Sequence, residues 1–263
     1  MTLGTTTQAY GEPSYWDNRY TQDPGPFDWY QKYPALSPLL HLYVPLHNRV
    51  LVIGCGNAAI SEDMANDGFE DIVNIDISSV VIEAMQTKYQ DIPALKCILL
   101  YVICLIALDE FFPERLVDIQ MDVRDMSGFE SGSFDAVLDK GTLDSIMCGH
   151  NSQDNASKML EEVGRVLKDN GVYILITYGA PAYRLPTLKK LSLWTIKLHV
   201  VEKPMADGNS EQIKWELTNP VSLDESGSSV ETALGRTPEV HFIYVCTKDE
   251  SLQSSSSKQE IEF

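Results

Sequence analysis

The sequence predicts an α/β domain of the doubly wound type, with a mostly parallel seven-stranded sheet whose last strand is antiparallel. Short apolar runs alternate with helical patterns over much of the chain, and this alternation is typical of parallel strands with helices on both faces. The first run ends in Gly54-Cys55-Gly56 and the second ends in Asp76. The last two runs are joined by a long polar stretch, which favours a hairpin-like antiparallel ending over another crossover helix.

Seven segments have the composition of strands: residues 49–53, 71–76, 119–123, 134–138, 172–177, 195–201 and 240–247. In the first of them Val50 to Ile53 form an uninterrupted apolar run, as expected for a strand that is buried on both faces of a parallel sheet. Strands that alternate with helices indicate parallel pairing with helices on both faces. The central part of the sheet is therefore predicted to be covered by helices on both sides.

Two helices are predicted most clearly, over residues 79–90 and 156–168. The first places Val81, Met85 and Tyr89 on one face behind a Ser78/Ser79 cap. The second places Leu160, Val163 and Leu167 on one face and is expected to stop at Asn170-Gly171.

The 263 residues, 44% of them hydrophobic, suffice for one large domain with appendages. We expect the domain to span residues 1–248 and the Ser-rich, acidic tail 249–263 to be disordered. The polar stretch 204–239, which contains Trp215, is either a substrate-recognition hairpin or a plain loop.

Residues 97–118 begin with twelve consecutive apolar residues, Cys97 to Leu108. A membrane span needs about 20 such residues, so no transmembrane helix is expected here. Without this segment Lys96 would run directly into the strand at Ile119, as a short connection of ordinary length. We interpret residues 97–118 as an insertion. It is either an extra surface helix or a liability that promotes aggregation or partner binding.

The chain carries 38 acidic and 20 basic side chains, a formal net charge of −18. Such a surface repels phosphate backbones, so nucleic acid is not an expected partner. A basic protein substrate would be attracted, although the acidity is equally compatible with a role in solubility alone.

Cysteine usage favours a reducing compartment, and hence the cytoplasm. The five cysteines are odd in number and contain no C-x-x-C pair. Cys148 and His150 have no further Cys or His near enough to complete a local ligand set, so no metal site is expected. The N-terminus lacks the basic and apolar regions of a secretory signal.

The Gly54-x-Gly56 turn and Asp76 together indicate a cofactor that contains adenosine. Glycines let a backbone approach a ligand closely, and an acid at the end of the second strand can accept both hydroxyls of a ribose. With Ala59 the turn also fits the loose dinucleotide fingerprint. Ligand-like groups nevertheless continue at later strand ends, and no residues for hydride chemistry are evident. A nicotinamide cofactor is therefore disfavoured.

Those later groups are Asp122, Val123, Lys140 and Gly141. The Asp122 carboxylate can accept from the adenine amine, and the Val123 N–H can donate to the ring. Lys140 and Gly141 lie just past the next strand, where the rest of the ligand must pass.

Several motifs resemble the seven-strand, S-adenosylmethionine-dependent methyltransferases, in particular the branch that contains the lysine and N-terminal methyltransferases of translation elongation factor 1-alpha. They are Y-W-D-N-R-Y (15–20), F-D-W-Y (27–30), L-V-I-G-C-G-N (51–57), N-I-D-I-S (74–78), M-D-V-R-D (121–125), L-D-K-G-T-L-D (138–144) and E-V-G-R-V-L (162–167). The resemblance covers roughly residues 10–180 apart from the insertion. It implies a Rossmann-like methyltransferase fold, S-adenosyl-L-methionine as cofactor and elongation factor 1-alpha as a possible partner.

The resemblance also implies a role for each matching position. Trp16, Tyr20 and Trp29 would form an aromatic lid, Gly54 and Gly56 would contact the methionine part of the cofactor, Asp76 would hold the ribose, Asp122 and Val123 would read the adenine, and Lys140 would lie at the pocket. Each has a plainer alternative. The aromatic residues could be ordinary core of an N-terminal helix, Asp122 a turn residue, and Lys140 a solvated side chain at the sheet edge.

Methyl transfer to an amine needs a neutral nucleophile, and a lysine amine with a pKa of about 10.4 is mostly protonated at neutral pH. A carboxylate at the pocket mouth can orient the amine and help it to lose the proton. Asp139 and Asp144, which flank Lys140-Gly141, are the candidates for this catalytic role. Asp144 could equally cap the helix that follows. Tyr178 could line an acceptor channel or simply pack there.

Three functions fit the sequence. The first is a protein-lysine methyltransferase that acts on a translation factor or another basic protein. The second is a small-molecule methyltransferase on the same scaffold. The third is a non-catalytic protein, or an inactive form in which the insertion shifts the adenine strand. A closed acceptor pocket would favour the second function, and failure to bind the cofactor would favour the third.

Overall fold

The computed structural model describes residues 9–89, 115–204, 215–224, 227–235, 238–249 and 251–252. The helices in this part of the chain are α1 (Pro13–Gln22), α2 (Tyr33–Tyr43), α3 (Ile60–Asn66), α4 (Ser79–Tyr89), α5 (Thr142–Cys148), α6 (Ser152–Val166), α7 (Pro181–Lys189) and α8 (Ser228–Leu234). The strands are β1 (Arg49–Ile53), β2 (Asp71–Asp76), β3 (Arg115–Gln120), β4 (Phe134–Lys140), β5 (Leu167–Thr177), β6 (Trp194–Glu202) and β7 (Val240–Lys248).

The strands form one sheet in the order β3-β2-β1-β4-β5-β7-β6. Strands β1 to β5 pair in parallel, whereas β7 is antiparallel to both of its neighbours. The predicted fold class is therefore confirmed, including the antiparallel last strand. The chain order reverses between β1 and β4, and in open sheets of this kind ligands bind at the carboxyl ends of the strands beside such a reversal.

Both faces of the central strands are buried, as the uninterrupted apolar runs predicted. Along β1, Leu51 and Ile53 join a cluster on the side of α5, α6 and α7. Val50 and Val52 join a second cluster, on the side of α2, α3 and α4. The two hydrophobic layers fix the sheet from both sides, so the loops at its carboxyl edge are held on a rigid support.

Helix α4 matches the prediction closely, and Val81, Met85 and Tyr89 are buried on its inner face. Helix α6 differs from the prediction of a helix over residues 156–168. It begins at Ser152 and ends at Val166, and Leu167 already belongs to β5. The stop signal at Asn170-Gly171 instead lies inside the strand, where the pairing with β4 skips from Leu167 to Val172. The Asn-Gly signal thus marks an irregular stretch of strand rather than the end of a helix.

The bounds predicted for the third strand, residues 119–123, are wrong because the strand begins and ends earlier in the chain. It runs from Arg115 to Gln120 and pairs in register with β2, beginning at Asp71↔Arg115. Residues 115–118, which we assigned to the insertion, therefore lie in the sheet. A charged residue is not expected inside a buried strand, so the polarity pattern did not indicate a strand at Asp118. In the structure Asp118 is buried there and accepts a hydrogen bond from Asn74 Nδ2 at 2.8 Å. Residues 97–114 lie outside the described residues.

The polar stretch 204–239 is described in part. Trp215 packs against the core cluster on the α6 side, and Val221 bridges to Leu198 of β6. His199 Nδ1 lies 2.8 Å from the Leu217 carbonyl oxygen, so this part of the stretch is attached to the sheet. Residues 253–263 of the predicted disordered tail lie outside the described residues. Among the helices that are described, none is long and apolar enough to cross a membrane.

Candidate functional site

A cavity lies at the carboxyl edge of the sheet, between the strand ends and the N-terminal segment. Its walls include every residue that the sequence assigned to cofactor binding: Trp16, Tyr20, Trp29, Gly54, Gly56, Asp76, Asp122, Val123 and Lys140. These residues come from the N-terminal segment, from the ends of β1, β2 and β4, and from the loop after β3. The fold thus brings residues that are far apart in the sequence around one space.

The two glycines after β1 are required by the backbone and by their neighbours. Gly54 and Gly56 have φ angles of +57° and +55°, in the left-handed region that favours glycine. A Cβ atom on Gly54 would collide with the Thr142 side chain, and one on Gly56 would lie 2.7 Å from the Tyr20 hydroxyl. The turn is therefore closely packed under the N-terminal segment and from the side of α5.

Asp76 lies at the end of β2 and is buried. Its carboxylate accepts hydrogen bonds from the backbone N–H of Gly56 and of Ser78, both at 2.9 Å. Burial raises the pKa of Asp76 to about 6, although the backbone donors favour its charged form. This carboxylate is fixed by the backbone, lines the cavity and changes its charge near neutral pH.

Helix α1 covers the cavity with a stack of aromatic rings. Trp16 stacks on Tyr10 with centroids 5.6 Å apart, and on Tyr20 at 6.0 Å. None of the residues of α1 is fully buried, so these rings differ from ordinary core residues. Because Tyr10, Trp16 and Tyr20 also line the cavity, they form its roof.

Polar contacts attach this roof to the loops beneath it. The Asp17 carboxylate accepts from the Ser78 hydroxyl at 2.6 Å, at the start of α4. Asn57 Nδ2 donates to the Gly25 carbonyl oxygen at 2.5 Å. The N-terminal segment is therefore held both to the glycine turn and to the loop after Asp76.

A buried ion pair makes a third attachment. Lys140 Nζ lies 3.0 Å from Asp28 Oδ1 and also donates to the Trp29 carbonyl oxygen at 3.2 Å. The two charged side chains are only 6% and 13% exposed. Burial lowers the pKa of Lys140, while the charge of Asp28 opposes that shift. Lys140 thus differs from a solvated lysine at the sheet edge, since its charge is neutralised within the cavity wall.

Asp139 and Asp144 are outside the cavity lining. Asp139 accepts from the N–H groups of Thr142 and Leu143, at 2.8 and 3.1 Å, and from the Tyr173 hydroxyl at 2.8 Å. It therefore caps α5, the role that the sequence had offered to Asp144. Burial raises the pKa of Asp139 to about 7.

Asp144 lies in the first turn of α5. It accepts from the Tyr30 hydroxyl at 2.7 Å and from the Thr177 hydroxyl at 2.6 Å, and it forms a buried ion pair with Arg184. Both of its oxygens are thus engaged inside the protein. Through these partners Asp144 joins the N-terminal segment to the last residue of β5 and to the middle of α7.

Asp122 lines the cavity but is paired with a close neighbour. Arg124 Nε and Nη2 lie 2.9 and 2.6 Å from its two oxygens. Arg124 Nη2 also donates to the Gly11 carbonyl oxygen at 3.0 Å. The pair therefore connects the loop after β3 to the N-terminal segment, next to buried Val123.

The cavity wall also contains residues that the sequence analysis did not select: Tyr10, Arg19, Phe27, Asn57, Arg124, Thr142 and Ser145. Most of them lie inside motifs that we quoted. Arg19, for example, follows Trp16 by three residues on the same helix, a spacing that places both on one face. Helical periodicity within Y-W-D-N-R-Y could therefore have identified it.

Residues 51–175 match a family described as a methyltransferase domain. The chain is 36% identical over 186 residues to EEF1A lysine methyltransferase 4 of Bos taurus, which covers 67% of this chain and 64% of that relative. It is 33% identical over 204 residues to eEF1A lysine and N-terminal methyltransferase of Homo sapiens, covering 76% of this chain and 26% of that relative. The resemblance inferred from the motifs is confirmed, while the chain spans less than two-thirds of each of these relatives.

Solved structures share the fold. One, titled "Conversion of a Disulfide Bond into a Thioacetal Group during Echinomycin Biosynthesis", superposes with a TM-score of 0.53 at 14% identity and covers 95% of this chain and 99% of its own. At this identity the likeness concerns the fold alone.

Replacing Asp28 by asparagine is expected to loosen the N-terminal segment. The change leaves the buried ammonium of Lys140 without its counter-charge, and removing one partner of a buried pair costs about 3–5 kcal/mol. Because the segment can lift locally, we expect hydrogen exchange of the amides in residues 27–31 to accelerate at least tenfold. Asp23→Asn, which alters an exposed pair with Arg19, is the matched control. Equal protection in Asp28→Asn and the wild type would contradict this role.

Replacing Asp139 by asparagine is expected to destabilise the whole domain. The new NH₂ group would face N–H and O–H groups whose hydrogen bonds the carboxylate now accepts. A buried polar group that is left without a partner costs about 1–3 kcal/mol. Urea unfolding should show this loss at constant m-value. Asp154→Asn on the surface of α6, where the pair with Lys158 is exposed, should change stability by less than about 0.5 kcal/mol. An Asp139→Asn protein as stable as the wild type would refute the capping role.

Proposed function

We propose that this chain, which carries a seven-strand methyltransferase domain, transfers a methyl group from S-adenosylmethionine to a lysine side chain of a basic protein. One observation carries the proposal. All nine residues to which the motifs assign cofactor binding line a single cavity at the carboxyl edge of the sheet, where open α/β sheets bind their ligands.

The residues of the cavity fit S-adenosylmethionine. The left-handed turn at Gly54 and Gly56 brings bare backbone to the cavity wall, as a closely held ligand requires. Asp76 would hold the ribose, and the loop at Asp122 and Val123 would hold the adenine. When bound, the cofactor would supply a methyl group on a positively charged sulfur, so that an amine lone pair could form a C–N bond in line as the C–S bond breaks and S-adenosylhomocysteine leaves.

The remaining work of the site falls to the protein. The aromatic roof of α1 and the buried Lys140–Asp28 pair exclude water from the cavity, so that polar contacts inside it are strengthened. We propose that Asp139 and Asp144 act as positioning residues. Asp139 holds the start of α5 against the cavity, and Asp144 holds Tyr30 and Arg184 at the side where an acceptor would arrive.

The choice of acceptor rests on the names of the relatives, which describe methyltransferases of elongation factor 1-alpha. We propose a cytoplasmic protein substrate of this kind for the present chain. The net charge of −18 suits a basic partner and disfavours nucleic acid. Cys55 and Cys246 are free thiols buried in the fold, which is compatible with a reducing compartment.

The affinity for S-adenosylmethionine should fall as the pH drops through about 6. The pKa of Asp76 is raised to about 6 by burial, and only its ionised carboxylate can accept both ribose hydroxyls. Below this pH binding must expel a proton, so the Kd measured by calorimetry should rise about tenfold between pH 7 and pH 5.

Two variants make this pH measurement specific. Asp76→Asn should bind weakly at both pH values and lose the dependence. Asp118→Asn changes another buried carboxylate whose pKa is about 6, but one outside the cavity lining, and should keep it. An affinity of the wild type that is constant from pH 5 to pH 7 would exclude Asp76 as the ribose acceptor.

Methyl transfer is tested with recombinant elongation factor 1-alpha and radiolabelled S-adenosylmethionine, followed by mass spectrometry of the product. We expect label on a lysine side chain, its loss in Asp76→Ala, and unchanged transfer in Asp154→Ala on the remote surface of α6. Cofactor binding without transfer to this protein would refute the acceptor. Absence of cofactor binding would refute the methyltransferase function and favour a non-catalytic protein.

A further inference from the structure

A tight turn presents two aromatic rings at the edge of the cavity. We define the aromatic turn as residues 27–31. The Gln31 N–H donates to the Trp29 carbonyl oxygen at 2.7 Å, and Tyr30 between them has a φ of +64°, which is unusual for a residue with a side chain. Backbone in such a conformation persists only where surrounding contacts hold it, and it clusters at sites that bind ligands.

Three partly buried contacts hold the aromatic turn. Lys140 Nζ donates to the Trp29 carbonyl oxygen, the Tyr30 hydroxyl donates to Asp144 at 2.7 Å, and Gln31 Nε2 donates to the Glu202 carbonyl oxygen at 2.5 Å. The contacts come from β4, α5 and β6. The positions of the Trp29 and Tyr30 rings are thus set by the rigid sheet rather than by a free loop.

The aromatic surface continues from the cavity to the outside. The Tyr30 ring lies over Gly141, where an added Cβ atom would be 3.2 Å from its Cε2, and both Gly141 and Trp29 line the cavity. On its other side the Tyr30 ring is 6.3 Å from the ring of Tyr178. Tyr178 in turn lines a neighbouring surface groove that includes Met147 and Tyr183.

The rings of Trp29 and Tyr178, on either side of Tyr30 in this chain of contacts, are exposed although they are large. Trp29 is 44% and Tyr178 is 52% exposed. Arg184, which lies 5.6 Å from the Tyr178 ring centroid, is buried, so the exposed part of that ring faces away from it. The charges of Arg184 and Lys140 are balanced by Asp144 and Asp28. The rings therefore present π faces without an uncompensated cation beneath them.

We propose that Trp29, Tyr30 and Tyr178 form the entrance through which an alkylammonium group, the side chain of a lysine in a polypeptide, reaches the cavity. The inference rests on the proposed methyltransferase function and names the side on which its acceptor enters. Aromatic faces attract ammonium and methylated ammonium groups, and the slender alkyl stem is compatible with apolar walls. Burial raises the pKa of Tyr30 and of Tyr178, so both rings stay uncharged at neutral pH.

Kinetics of Tyr178 variants test the entrance, since this residue is outside the cavity lining. With recombinant elongation factor 1-alpha, Tyr178→Ala should raise the KM for the acceptor about 5- to 30-fold, which corresponds to about 1–2 kcal/mol for a cation–π contact that is partly desolvated. Tyr178→Phe, which keeps the ring, should stay within about twofold of the wild type, as should Leu42→Ala, which removes an exposed apolar side chain of α2 that lines neither the cavity nor the groove. The Kd for S-adenosylmethionine should be unchanged in all three. An unaltered acceptor KM in Tyr178→Ala, or an equal loss in Tyr178→Phe, would overturn the proposal.

A second measurement needs no methyl transfer. Choline and its uncharged carbon isostere 3,3-dimethylbutan-1-ol are compared by saturation-transfer NMR, with S-adenosylhomocysteine filling the cofactor cavity. We expect saturation transfer to choline in the wild type and in Tyr178→Phe, its loss in Tyr178→Ala, and little transfer to the neutral probe. Equal signals from both probes, or a choline signal that survives in Tyr178→Ala, would refute an ammonium-selective entrance.

The two measurements separate the failure of the entrance from the failure of the proposed function. If the wild type and Tyr178→Ala methylate the acceptor equally well, the entrance is refuted and the proposed function stands. A wild type that selects choline over the neutral probe but transfers no methyl group to elongation factor 1-alpha supports the entrance and refutes the proposed acceptor. Absence of S-adenosylmethionine binding refutes the function itself.

Discussion

The three residues at the end of β4 are the constraint on which the site depends. Asp139 caps α5, Lys140 pairs with Asp28 inside the cavity wall, and Gly141 leaves the space that the Tyr30 ring occupies. Consecutive residues thus orient a helix, attach the N-terminal segment and admit an aromatic ring. Strand β4 pairs with β1 and β5 on either side, and the Gly141 N–H just past it donates to the Ile176 carbonyl oxygen of β5 at 3.1 Å, so these three positions are held by both neighbouring strands.

The electrostatics of the site follow from the same arrangement. Carboxylates are buried at the ends of β2 and β4 and in α5, but each has donors that compensate its loss of water. Asp76 accepts hydrogen bonds from two backbone N–H groups. Burial raises its pKa to about 6, so the carboxylate loses its charge as the pH falls through that value. Asp139 and Asp144 are satisfied from within the fold and stabilise the shape of the site. Burial and backbone donors therefore do not separate these carboxylates, since Asp76 and Asp139 have both. Their positions do, because Asp76 lines the cavity whereas Asp139 and Asp144 do not.

Much of the fold could be predicted because the central strands are apolar on both faces, and β1 and β2 begin and end at the predicted residues. Strand β3 was misplaced because its buried Asp118 is satisfied by Asn74 of the adjacent strand, a pairing that a single sequence does not reveal. The Asn-Gly pair at 170–171 has the composition of a helix end, but it lies where the register between β4 and β5 shifts. Such a shift depends on the partner strand and cannot be predicted from the local sequence. In the site, the positions that line the cavity could be predicted from strand ends and motifs. The hydrogen-bond partners of Asp139 and Asp144 depend on side chains as distant as Tyr30 and Tyr173 and became evident only in three dimensions.

A crystal structure of this chain with S-adenosylhomocysteine would show whether the cavity beneath α1 holds the cofactor. We expect the ribose at Asp76, the adenine at the loop of Asp122 and Val123, and the amino acid part at the turn of Gly54 and Gly56, with the rings of Trp16 and Tyr20 above. Density for the ligand at another surface, or a cavity that stays empty at saturating ligand, would contradict this placement.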